Sequence, residues 1–152
     1  MLFRSRVSLD FNIFAYMELT IRPLTYEDYD NILLGWWKDW KWTAPVRDFL
    51  PEMGTSGLMV YHGDTPVCAG FLYATNSKVF WLEWIISNFE VKDRDLRKEA
   101  IDFLIEQLCT TAKKAGALFI YSTIKNPSLI TTYEDLGFFR GDHGAQEMIK
   151  IV

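Results

Sequence analysis

Residues 117–138 leave this chain little freedom of fold. Residues 117–123 (ALFIYST) are apolar, aromatic and β-branched, the pattern of a buried strand. Asn126-Pro127 then opens a helix, and Pro127 suits its first turn, where a missing N–H has no partner to lose. Gly137 stands where that helix needs a left-handed residue to stop, and Phe138-Phe139 begins a short strand.

A sheet is legible upstream. Residues 57–62 (GLMVYH) and 66–74 (PVCAGFLYA) flank a Gly63-Asp64 turn, a hairpin signal, and residues 79–87 (VFWLEWIIS) read as a third consecutive strand. Residues 18–23 (ELTIRP) read as a first strand. Thr25 is placed to cap a helix over residues 26–34, with Gly35 ending or bending it, and a short helix follows Pro45 over residues 46–50. The most regular helix covers residues 96–116. Ala100, Leu104, Leu108 and Ala112 recur on one of its faces, with Ile101, Ile105 and Ala115 alongside. Lys113 and Lys114 fall in its last turn, where cations suit the helix dipole.

Composition narrows the function classes. With 152 residues, 49% of them apolar and 24% charged, the chain reads as one globular domain with a substantial core. A net charge of −4 gives no electrostatic ground for binding nucleic acid or an anionic membrane, and Lys38 and Lys41 are too few for an aromatic–basic stripe. No apolar run has the length of a membrane span. Cys68 and Cys109 sit in apolar segments without metal-ligand spacing, so free thiols in a reducing, cytoplasmic compartment and no bound metal are expected. Residues 1–16 carry Arg4 and Arg6 and apolar residues but no small-residue cleavage site, which argues against a secretory signal. They read as an N-terminal extension, adding a strand or covering a surface, before a domain over residues 17–152 that starts at Met17.

The order of a strand, an Asn-Pro-opened helix, Tyr133-x-x-Leu136-Gly137-Phe138 and a short strand, behind three antiparallel strands and a long helix, resembles the GNAT superfamily of N-acetyltransferases. The resemblance spans about residues 18–152. It implies an α/β (α+β) fold with a central, mixed but mostly antiparallel, splayed sheet flanked by helices. It also implies direct transfer of an acetyl group from acetyl-CoA, as cosubstrate, to a primary amine of a small molecule or a protein, by a monomer or a homodimer. On the same basis Asn126 helps to hold the cofactor and Tyr133 protonates the departing thiolate. The main chain at Ile85 and Ile86 pairs with the pantetheine arm and polarises the thioester, an oxyanion-hole role. Trp36, Trp37 and Trp40 fall where the family lines its acceptor cleft; as residues, together with Trp42, they read equally as core or as a partner-contact surface.

Glu83 is the candidate base. An ionisable residue inside so apolar a strand lies either at a cleft or hydrogen-bonded in the interior. Strict alternation puts it on one face with Trp81 and Ile85. His62, at a strand end beside a turn, reads as solvated.

One part of the pattern is missing. The family binds pyrophosphate at a glycine-rich turn and the following helix N-terminus, because the backbone must approach the phosphates closely. Here the corresponding glycines fall on Glu99 and Ile101, and no glycine lies between Gly70 and Gly116. Lys92, Arg94, Arg97 and Lys98 surround Asp93 and Asp95 instead. In one outcome Arg94, Arg97 and Lys98 hold phosphate by side chain, with main-chain N–H groups such as that of Leu96 still available. In the other, Asp95 caps the helix, Asp93 and Glu99 repel the anion, and the chain is a catalytically inactive GNAT-like binding protein.

Overall fold

A computed structural model describes residues 3–6 and 18–152. The strands are β1 (Phe3–Arg6), β2 (Glu18–Pro23), β3 (Gly57–His62), β4 (Thr65–Tyr73), β5 (Val79–Ser87) and β6 (Phe119–Tyr121). Among the described residues they form one six-stranded sheet in chain order. Neighbours pair antiparallel from β1 to β5, and β6 pairs parallel to β5. The parallel pairing requires a crossover, which α3 (Arg94–Lys114) supplies after the short α1 (Tyr26–Asp28) and α2 (Leu34–Asp39); α4 (Pro127–Asp135) follows β6. The mixed, mostly antiparallel sheet with flanking helices is the expected architecture. The expected domain boundary at Met17 lies outside the described residues. Among the described residues no helix is long and apolar enough to cross a membrane.

The sheet separates two cores. On one face Leu104, Ile105 and Leu108 of α3 pack with Leu19, Ile21, Val60, Val67 and Leu82, and Tyr133 of α4 joins them. On the other, Leu33, Trp36 and Trp37 pack with Met59, Ala69, Phe71 and Ile86. Each such fully buried side chain contributes roughly 1.5–3 kcal/mol relative to exposure. The first turn of α1 is fastened by Asp28, which accepts the Thr25 N–H at 2.7 Å and both Arg22 guanidinium nitrogens at 2.7 and 2.9 Å. Burial pushes that carboxyl up, but the Arg22 and Thr25 bonds win and hold it below its ordinary value.

Four features depart from the sequence expectation. The first helix does not stop near Gly35; a π-helical turn over Tyr29–Leu33 joins α1 to α2, and Gly35 lies inside α2. α3 starts at Arg94, not at Leu96. β6 is shorter than residues 117–123, and Leu118, Phe119 and Tyr121 are exposed because this is the sheet's edge strand. Phe138-Phe139 forms no strand; residues 138–152 are irregular, and Phe139 is exposed.

β5 contains a bulge. Ala69 pairs with Ile86 and Phe71 with Glu83, so Gly70 alone faces both Trp84 and Ile85, and Trp84 takes φ 60°. Close approach also fixes Gly57, opposite Phe71: a Cβ there would collide with the Gly70 carbonyl oxygen and lie 2.8 Å from Leu24 Cδ1. Gly57→Ala is therefore expected to destabilise the fold by about 1–3 kcal/mol, as overpacking does, visible as a lower urea midpoint with an unchanged slope.

Candidate active site

β5 and β6 share a main-chain ladder only over Val79–Trp81 and Phe119–Tyr121; β5 then runs on to Ser87. Side chains bridge the opening that begins there. Ser122 Oγ donates to the Leu82 carbonyl at 2.6 Å and lies 3.3 Å from the Tyr133 hydroxyl. Glu83 Oε1 accepts the Thr123 N–H at 2.8 Å and the Thr123 hydroxyl at 2.9 Å. Glu83 and Tyr133, the residues expected to supply acid–base chemistry, thus each reach a bridge across the opening, and the Glu83 charge is felt at the Tyr133 hydroxyl.

Their electrostatics differ in kind. Burial raises the Glu83 carboxyl above its ordinary value; the two Thr123 bonds oppose the rise and the nearby Glu147 charge adds to it. Burial likewise lifts the Tyr133 hydroxyl well above the ordinary phenol range, against the opposing Ser122 contact, so it stays protonated. The face of Glu83 needs correction. Leu82 and Ile85 both belong to the α3 side, while Phe71, directly opposite Glu83, belongs to the α2 side. Glu83 and Trp84 therefore share the α2 side and Ile85 does not, because the bulge breaks strict alternation.

The same register sorts the expected thioester contacts. Asn88 N–H donates to Val67 O at 2.8 Å, so by alternation Ile86 turns its main chain to β4, while Ile85 and Ser87 turn theirs to the uncovered edge. The Ile85 main chain lies on that edge of β5. Ile86 does not, since its peptide groups serve the β4 ladder and its side chain is buried in the α2-side core. Ser87 O is taken by Trp40 Nε1 at 2.8 Å.

At the start of α3, Asp93 is the cap, not Asp95: its Oδ1 accepts the N–H groups of Asp95 at 3.0 Å and Leu96 at 3.1 Å. Glu99 and Ile101 lie within the helix rather than in the loop before it. Arg97 turns back to the Val91 carbonyl at 3.3 Å and faces the Trp40 ring at 5.9 Å, and Lys98 is paired with Asp102 at 3.0 Å. Arg94 is exposed in the first turn. A pyrophosphate needs the very N–H groups that Asp93 occupies, and the occupant carries the ligand's own sign of charge. The residues present do not fit the diphosphate of coenzyme A at this helix end.

The remaining candidates divide between core and surface. Trp36 and Trp37 are 6% and 3% exposed, which corrects their assignment to a substrate wall: their rings fill the α2-side core. Trp40 is half-buried, edge-on to Phe89 at 4.9 Å and stacked with the exposed Trp42 at 5.4 Å. Asn126 caps α4, its Oδ1 accepting from Ser128 N at 2.9 Å and Leu129 N at 3.4 Å. Among the described residues no cluster of His, Cys, Asp and Glu is placed to hold a metal ion. Cys68 and Cys109 are free thiols.

Sequence reasoning missed Ser122, Thr123 and the capping role of Asp93. Only Asp93 carried a signal, as an Asp directly before a helix.

A carboxyl raised by folding binds its proton more tightly in the native than in the unfolded chain. Its contribution to stability therefore falls as pH rises from 4.5, the unperturbed value, through the higher folded value. Glu83→Gln keeps an acceptor for Thr123 without the charge. It is expected to raise stability at neutral pH and to flatten this part of the pH dependence in urea titrations run from pH 4 upward.

No protein-family model matches the chain, and no curated protein sequence does. Solved structures do. A glucosamine-6-phosphate N-acetyltransferase from Arabidopsis thaliana superposes with a TM-score of 0.58 at 14% identity, over 87% of this chain and 99% of that one. An acetyltransferase of Trypanosoma brucei gives 0.58 at 17% identity, over 86% and 99%. The ribosomal-protein-S18-alanine N-acetyltransferase of Escherichia coli gives 0.54 at 14% identity, over 82% and 79%. The chain has the fold of the GNAT acetyltransferases.

Proposed function

We propose that this chain transfers an acyl group, acetyl in the simplest case, from a thioester to a primary amine by direct attack. The observation that carries the proposal is Glu83, a half-buried carboxylate held above its ordinary pKa where β5 and β6 part. An amine attacks a thioester only after losing a proton, and a carboxylate raised by burial is a stronger base than one in water. The amine nitrogen then forms the C–N bond at the carbonyl carbon as the C–S bond breaks. The thiolate takes its proton from the Tyr133 hydroxyl, and the proton held by Glu83 leaves to solvent, from which Tyr133 is reprotonated. The Ile85 main chain, on the uncovered edge of β5, is the group that would polarise the thioester carbonyl.

Two of the similar structures support the acceptor class by name, as N-acetyltransferases of a sugar phosphate and of a protein alanine. A primary amine is common to both. Trp40 is the remaining aromatic candidate for the acceptor side.

A second reading, a non-catalytic protein that binds a partner, is favoured by one observation. Trp42, Val46, Phe49 and Met53 expose large apolar side chains on the connection between α2 and β3. It predicts no turnover of any thioester.

Thiol release from acetyl thioesters against a panel of amines separates the two. On the first reading Glu83→Gln lowers kcat by about 10²–10⁴-fold, the usual contribution of a general base. The wild-type rate then rises with pH through a value above 4.5. Absence of amine-dependent thiol release across the panel, or a Glu83→Gln rate equal to wild type, would overturn the first reading.

A further inference from the structure

The closed end of α3 bears on which thioester the opening at Glu83 accepts, and the argument rests on the transferase reading above. Asp93 holds the Asp95 and Leu96 N–H groups, so the dipole of α3 already faces a negative charge of the chain's own. Of the four cations nearby three are engaged, Arg97 with the Val91 carbonyl, Lys98 with Asp102, and Lys92 over the Phe89 ring at 3.6 Å, while Arg94 is exposed in the first turn, between Asp93 and Asp95 in the chain. Between the bulge and α3 the uncovered edge of β5 is closed at Ser87 by the Trp40 indole. A donor lying along that edge from Ile85 meets Trp40 before it meets the helix. The half of a donor beyond this point would have to displace a tryptophan and then settle against a carboxylate.

We infer that Asp93 and Trp40 restrict the donor to an acyl thioester of the pantetheine type, one that carries no nucleotide diphosphate to the N-terminus of α3. The chemistry is that of the transfer above, with free pantetheine thiol as the leaving product.

Calorimetric titration of the whole chain with pantetheine and with coenzyme A, up to millimolar ligand, tests this directly. The inference expects the two dissociation constants to agree within about threefold, the nucleotide adding nothing. It expects Asp93→Ser, which keeps a capping oxygen but removes the charge, to tighten coenzyme A about tenfold or more and leave pantetheine unchanged. Asp93→Asn, which keeps the position filled, should give a smaller gain. Coenzyme A at least tenfold tighter than pantetheine in the wild type, or a ratio unmoved by Asp93→Ser, would overturn the inference and leave the transferase reading standing. No binding of either ligand would overturn the thioester-transferase reading itself, and the inference with it.

Discussion

Gly70 and the bulge that faces it set the geometry on which both cores and the opening depend. A Cβ at Gly70 would lie 3.2 Å from Leu108 Cδ1 and 3.3 Å from both Leu104 Cδ2 and Ile85 Cγ1. The missing side chain is what lets α3 settle onto the sheet at this point. Across from it, the extra residue in β5 turns Ile85 toward α3 and leaves Glu83 and Trp84 together on the α2 side. Trp84 holds φ 60°, a conformation that costs of order 1–3 kcal/mol for a residue with a side chain. Its indole offsets part of that by donating to the Tyr73 hydroxyl at 2.8 Å and meeting the Phe49 ring edge-on at 5.9 Å. A regular strand would have kept Glu83 in step with Ile85 and left Ile85 on the face away from α3.

This explains which parts of the molecule were legible in the sequence. Apolar period and turn chemistry are local, so β3, β4, β5 and the buried face of α3 could be read from residues such as Gly63-Asp64, Ala100 and Leu108. The caps at Asn126 and Gly137 were legible for the same reason. The bulge was not, because Trp84 is an ordinary strand residue by propensity and only the facing Gly70 and the packing of α3 make its positive φ worthwhile. The choice between Asp93 and Asp95 as cap turned on where the first helical residue falls, the least determined feature of any helix. Trp36 and Trp37 could be read as core or cleft until the sheet beneath them was in place.

The polar groups around the opening are met from within the chain. Leu82 O is bonded by Ser122, Glu83 by Thr123, Ser87 O by Trp40, and the first turn of α3 by Asp93. Such closure is what a sheet edge and a helix end require, since an unpaired main-chain group out of water is costly.

The four closures are not equivalent toward a ligand. A hydroxyl can trade its partner for a substrate group at little net cost, because a neutral hydrogen bond is worth only about 0.5–1.5 kcal/mol in exchange, whereas a bond to a carboxylate is worth about 1.5–3 kcal/mol. The Ser122 bond to the Leu82 carbonyl is of the first kind and the Thr123 bonds to Glu83 are of the second, while the Trp40 indole gives way only if its whole ring is displaced. Asp93 is different. Rotating it away frees the N–H groups but leaves a negative charge within a few ångströms of whatever anion replaces it, and near a protein surface unit charges of like sign at that range repel by a few kcal/mol before salt screens them. The chain's own groups therefore meet the two ends of this edge differently, by hydroxyl bonds near Glu83 and by a carboxylate at the first turn of α3.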